Sequence, residues 1–171
     1  MTNWYAVYTR PRCEKKVAES FTKKKIESYY PINRIARQKG SKKVAQLPLF
    51  ASYVFARLNE VQLQDVRKID GVINLVYWLG APIVVRDIEV EMMRRFLHEH
   101  TDVRFETIPI DPKAIVKISQ EPFDDEELSE NLKTVKLLLP SLGYSLVASE
   151  RRESVIVLTN YQHDRPYKVS L

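Results

Sequence analysis

The chain of 171 residues has one cysteine, four glycines and three histidines, and no apolar run approaches the roughly 20 residues that a membrane span needs. The start, Met1-Thr2-Asn3-Trp4, has no basic stretch leading into an apolar core. No signal peptide is expected, and a soluble cytoplasmic protein is. The lone Cys13 excludes an internal disulfide and a multi-cysteine zinc site. Gly40, Gly71, Gly80 and Gly143 stand apart from one another, whereas a phosphate-cradling loop needs glycines in a cluster. His98-Glu99-His100 lies near an expected helix end, and His163 is far along the chain. Successive helical residues point about 100° apart, so the trio reads as a polar helix end. Asp124-Asp125-Glu126-Glu127 likewise reads as a solvated acidic segment, since four successive acids do not form an acid/base pair. No nucleophile–base pair stands out. No catalysis, cofactor or metal is expected.

What is present is charge, unevenly divided. Residues 1–105 carry 19 Lys+Arg and 11 Asp+Glu, a net +8, and residues 106–171 carry 8 and 11, a net −3. Residues 1–57 alone have 13 basic and three acidic side chains, a net +10. A basic part and an acidic part suggest two domains and a polyanionic partner for the first.

Hydrophobic spacing gives an α+β order. Residues 3–9 are aromatic and β-branched and read as a buried strand. After Pro11, the positions Cys13, Val17, Ala18 and Phe21 share one face of a helix over 12–25. A short strand over 27–32 precedes a basic arm, 33–48, expected as two extended limbs turning at Lys39-Gly40-Ser41-Lys42. Residues 49–58 read as a strand. A helix over 60–69 follows with Asn59 as its cap, then a strand over 72–79 and a helix capped by Asp87. This β-α-β-β-α-β-α order is the split βαβ, ferredoxin-like arrangement with a further helix. Pro109 and Pro112 mark a poorly periodic stretch as linker. Beyond it, β-rich pieces at 113–119, 134–139, 145–149, 154–159 and 167–170 suggest a small barrel or open sheet.

Three pieces, in order and near the expected spacing, carry a resemblance: Trp4-Tyr5-Ala6-Val7-Tyr8, Leu49-Phe50-Ala51-Ser52-Tyr53-Val54-Phe55, and Gly71-Val72 with Gly80. Over about residues 3–98 the chain resembles the N-terminal (NGN) domain of NusG-type transcription elongation factors. The Pro-Leu-Phe stretch and the arm Gln38-Lys39-Gly40-Ser41-Lys42-Lys43 are similar to the specialised paralogues, such as RfaH and the antiterminators of polysaccharide operons. Residues 114–123 resemble the opening of the family's C-terminal KOW barrel, but Asp124–Leu128 replaces the glycine-bearing turn. The resemblance implies an NGN domain at 1–105, a linker at 106–112 and a degenerate KOW-like β-barrel at 113–171.

It also implies a function. Such proteins bind the clamp helices of the largest RNA polymerase subunit through an apolar patch and suppress pausing. The polymerase-contact residues implied are Phe50 and Tyr53, extended by Tyr8, with Phe50 expected to stay exposed at a strand entry beside Pro48. Arg10, Arg12, Lys15 and Lys16 at the first helix start are implied to meet upstream or non-template DNA, with Lys42 and Lys43 of the arm as further candidates. The C-terminal part is expected to meet a ribosomal protein or a termination factor, or to cover the Phe50–Tyr53 patch. Two other classes compete: an RNA- or ribosome-binding module, and an enzymatic ferredoxin-like domain. RNA-recognition motifs pair their aromatics with glycine, which Phe50-Ala51-Ser52-Tyr53 lacks. A deep polar pocket with convergent ionisable groups would mark the enzyme.

Overall fold

A computed structural model describes residues 1–35, 44–122 and 132–151. Lys42, Lys43 and the arm's turn, the acidic segment Asp124–Glu127, and the strands expected at 154–159 and 167–170 lie outside the described residues. Among the described residues, no helix is long and apolar enough to cross a membrane.

The first half runs β1 (Asn3–Thr9), α1 (Glu14–Lys23), β2 (Ser28–Tyr29), β3 (Ile32–Ile35), β4 (Ala45–Pro48), β5 (Tyr53–Leu58) and α2 (Glu60–Asp65). A 3-10 turn at Val66–Lys68 leads into β6 (Val72–Leu75), β7 (Tyr77–Trp78), β8 (Ala81–Pro82), β9 (Val84–Val85) and α3 (Asp87–Glu99). The main sheet has the order β2-β5-β1-β6, with β9 also beside β1. β1 and β2 both pair antiparallel with β5, which therefore splits two parallel strands joined by α1. The ferredoxin-like expectation holds for this half.

Alternation along β1 and β5 divides the core in two. Tyr5, Val7, Val54, Ala56 and Leu58 face α1, where they meet Val17 and Phe21. Trp4, Ala6 and Phe55 face the other way. Asn59 caps α2 reciprocally: its Oδ1 accepts the Gln62 N–H, and Gln62 Oε1 accepts the Asn59 N–H, each at 2.9 Å.

Local details depart from the periodicity. The strand expected over 49–58 begins only at Tyr53, because Leu49–Ser52 form a turn with Ser52 at φ 66°. The strand over 72–79 stops at Leu75, and β7 and β8 form a separate hairpin turning through Leu79 and Gly80. The N-cap of α3 is Arg86, and Asp87 is already helical. The arm's limbs, β3 and β4, pair as expected.

The second half contains β10 (Arg104–Thr107), β11 (Ile118–Pro122), β12 (Leu132–Leu139) and β13 (Tyr144–Arg151). Its antiparallel order is β10-β13-β12-β11. Among the described residues this is an open four-stranded sheet and not a closed barrel. β10 and β11 are its two edges, and no described strand joins them. The span expected as linker, 106–112, opens inside β10. It then stays attached: the Ile108 N–H donates to Gly143 O at 2.9 Å and the Asp111 N–H to Pro140 O at 3.0 Å. The strand expected at 113–119 starts only at Ile118.

The second sheet does not stand apart. Val135, Leu137, Leu139, Leu142, Leu146 and Ala148 share one buried cluster with Trp4, Ala6 and Phe55 and with Val90, Met93, Phe96 and Leu97 of α3. The main sheet is thus covered by α1 on one face and by α3 and the second sheet on the other.

Candidate functional site

Tyr8 and Tyr53 are directly opposite in the β1–β5 ladder, on the face away from α1. Their rings are 5.5 Å apart and tilted by 51°. Tyr8 is 38% exposed and Tyr53 is half-buried. The Tyr53 hydroxyl is pushed above the ordinary tyrosine pKa, chiefly by burial and further by the neighbouring Tyr144 and Tyr8 hydroxyls.

Phe50 behaves differently from its expected exposure. It is only 5% exposed. The turn that carries it is held from α1: the buried Glu14 carboxylate accepts the Ser52 N–H at 2.7 Å, and Ser52 O accepts the Thr9 N–H at 2.8 Å. This geometry folds the Phe50 ring under the second sheet, 5.2 Å from both Phe105 and Tyr144 and edge-on to Phe55 at 6.2 Å. An apolar cavity of about 180 Å³ remains between the layers, lined by Phe50, Tyr53, Phe55, Tyr77, Leu142 and Tyr144 among others. The aromatic face thus has two states of exposure: Tyr8 is open, and Phe50 is covered by the chain's own C-terminal half.

The basic corner is built by the end of β1. The Arg10 N–H donates to Gly71 O at 2.8 Å, and Arg10 O accepts the Cys13 N–H at 3.1 Å. Arg12 takes the left-handed conformation at φ 65°, so the helix starts at Glu14 and not at Arg12. Gly71, at φ 92°, closes the corner from below; a Cβ there would lie 2.9 Å from Val17 Cγ2. Arg10, Arg12, Lys15 and Lys16 are all exposed. Two of them are not free. Lys16 Nζ is 2.6 Å from Asp70 Oδ2, and Arg10 Nη1 is 3.8 Å from Asp70 Oδ1. The hydrogen bond and charge of Asp70 raise the Lys16 pKa, and the same contacts with Lys16 lower that of Asp70. Among the described residues, no group of three His, Cys, Asp or Glu could hold a metal ion.

A family model described as transcription termination factor NusG matches residues 2–94, more than half of the chain. The chain belongs to the NusG family. No curated protein matches it significantly. Among solved structures it is similar to a Thermotoga maritima chain described as "Domain interaction in Thermotoga maritima NusG". That likeness has 19% identity and a TM-score of 0.50, covers 90% of this chain and 98% of the other, and bears on the fold. NusG-family proteins are non-enzymatic transcription elongation and termination factors that bind RNA polymerase.

In this NusG-family chain the interface also holds a buried polar link between segments far apart in the sequence. Glu89, in the first turn of α3, is fully buried. Its Oε2 accepts the Arg86 backbone N–H at 3.1 Å and Arg86 Nε at 3.2 Å, and its Oε1 accepts the Ser141 N–H at 2.8 Å. Arg86 Nη1 in turn donates to Ala114 O at 2.7 Å. One Arg–Glu pair therefore ties the main-sheet half to the β12–β13 turn and to the segment before β11. Glu89 at the third helical position was a visible capping signal; its second partner, 52 residues on, was not.

Proposed function

We propose that this NusG-family protein is a transcription antitermination factor that binds the clamp helices of the largest RNA polymerase subunit through the face carrying Tyr8, Tyr53 and Phe50. In this reading residues 1–105 act as the polymerase-binding NGN domain, and Arg10, Arg12, Lys15 and Lys16 hold upstream or non-template DNA while polymerase elongates through operons of its own set. The observation that carries the reading is the Tyr8–Tyr53 pair, an aromatic patch open to solvent at Tyr8 in a family that binds polymerase. Exposed aromatic pairs of this kind are protein-binding hot spots. The Phe50 end of the same face is occupied by Phe105 and Tyr144, so full engagement requires the C-terminal half to lift.

The test is capture of the full chain by purified core polymerase, with and without its clamp helices. Tyr8→Ala and Tyr53→Ala should each weaken capture by about 2 kcal/mol or more, the scale of a hot-spot aromatic. Capture that ignores both substitutions, or that survives deletion of the clamp helices, overturns the assignment.

A further inference from the structure

The basic corner contains an acid where a phosphate surface has no use for one. Asp70 is exposed, sits one residue before Gly71, and is ion-paired to two of the four corner cations. Its position is not accidental to the backbone. Gly71 O accepts the Arg10 N–H, and Gly71 packs on Val17 and Cys13, so the loop carrying Asp70 is fixed against the start of α1. The carboxylate lies 2.6 Å from Lys16 Nζ, a distance at which a phosphate oxygen competes for the same ammonium.

We infer that Asp70 is a built-in competitor for the phosphodiester backbone: it occupies Lys16 and Arg10 until nucleic acid displaces it, and so sets how weakly this corner binds polyanions. The inference rests on the reading of this corner as a nucleic-acid surface. Its physical basis is counterion exchange. A free surface lysine that meets a phosphate lets the condensed counterion leave the nucleic acid, which makes binding tight and steeply salt-dependent. A lysine already paired to Asp70 trades one anion for another, and the released carboxylate recruits a cation of its own. The net release falls by about one ion for the one carboxylate displaced. The consequence is a corner whose attraction for bulk DNA rests mainly on the exposed Arg12 and Lys15, with Lys16 and Arg10 joining when polymerase contacts hold it beside a strand.

The experiment measures the anisotropy of a labelled mixed-sequence DNA, as duplex and as single strand, over a salt series with the full-length protein. The variants are Asp70→Asn, Lys16→Ala, the double substitution, and Asp65→Asn, which frees the exposed Lys68 from its own 2.6 Å ion pair. Asparagine keeps a side-chain oxygen that accepts hydrogen bonds, and equal melting curves verify the fold. Asp70→Asn should tighten binding about two- to fivefold at low salt and steepen the log–log salt slope by about one unit. In the Lys16→Ala background most of that gain should vanish, because the two side chains act on each other. Asp65→Asn should leave the slope unchanged. The arm that responds more strongly, duplex or single strand, identifies the form of nucleic acid. The inference is overturned if Lys16→Ala weakens binding but Asp70→Asn does not tighten it. It is also overturned if the Asp70→Asn gain is the same without Lys16, because the 2.6 Å partner would then take no part in the exchange. If neither Lys16→Ala nor Asp70→Asn changes binding to either form, the nucleic-acid reading of the corner itself fails.

Discussion

Replacing Glu89 by alanine should loosen the C-terminal half from the main sheet. The side chain is fully buried and accepts three hydrogen bonds, so its loss has separable parts. Removing the acceptor for the Arg86 backbone N–H at the start of α3 costs about 1 kcal/mol, as for other helix caps. The Ser141 N–H, on a residue only 1% exposed, is left without a partner, which costs about 1–3 kcal/mol. The Arg86 side chain is 31% exposed, so water takes over much of its lost pairing and little is added. The total is about 3 kcal/mol. For a chain of this length it lowers the melting temperature by roughly 6–12 °C. Hydrogen exchange localises the effect: the Ser141 amide should lose protection by about tenfold or more, since 1.4 kcal/mol is a factor of ten. Glu89→Gln keeps one acceptor oxygen and should fall between alanine and the natural residue. Because Glu89 is fully buried and is not one of the aromatic residues proposed to meet polymerase, loosening the cover should also increase capture by core polymerase. A melting shift under about 2 °C with unchanged Ser141 protection would refute the energetic reasoning. The expected destabilisation without improved capture would refute the idea that the cover hides the face.

Three further outcomes follow from local geometry. Gly143→Ala forces a left-handed alanine at φ 71° and brings a Cβ to 2.7 Å from Ile110 Cγ1, so it should lower stability by about 2–3 kcal/mol; an unchanged urea midpoint would contradict this. Burial raises the Tyr29 pKa from 10.0 to about 12, against a smaller opposing effect of Arg94, whose guanidinium lies 4.9 Å from the ring centre. The phenol is neutral in the fold, so its contribution to stability is complete below pH 10 and is lost as the pH rises towards about 12. A phenolate absorbance difference between the natural chain and Tyr29→Phe should show that midpoint, and one near 10 would show the site to be open to water. Phe50→Ala, given its place among Phe55, Phe105 and Tyr144, should cost about 3–5 kcal/mol of stability in a denaturant titration; a loss under about 1 kcal/mol would show the ring to be dispensable for packing.

Much of the first half was legible from residue order alone. The alternation in Trp4–Tyr8 and Tyr53–Phe55 specifies strands with two buried faces, and the spacing of Val17 and Phe21 specifies a helix that covers one of them. Asn59 announces a helix start, and Gln62, three residues on, completes its cap in the structure. The charge division between the halves and the exposed cations of the corner were likewise open to reading, because charge is a property of composition. Contacts between distant segments were not. Phe50 reads as a strand residue until Glu14, 38 residues from Ser52, holds the turn that buries it. Arg104–Thr107 reads as the poorly periodic approach to Pro109 and Pro112, and becomes an edge strand only because β13 supplies the ladder. Lys16 and Arg10 read as free cations until the loop before Gly71 brings Asp70 against them. Local patterns encode secondary structure because helices and strands close their hydrogen bonds and faces at short, regular intervals. Burial of one ring, pairing of one edge and neutralisation of one charge depend on what the rest of the chain brings within a few ångströms, and that only the tertiary structure decided.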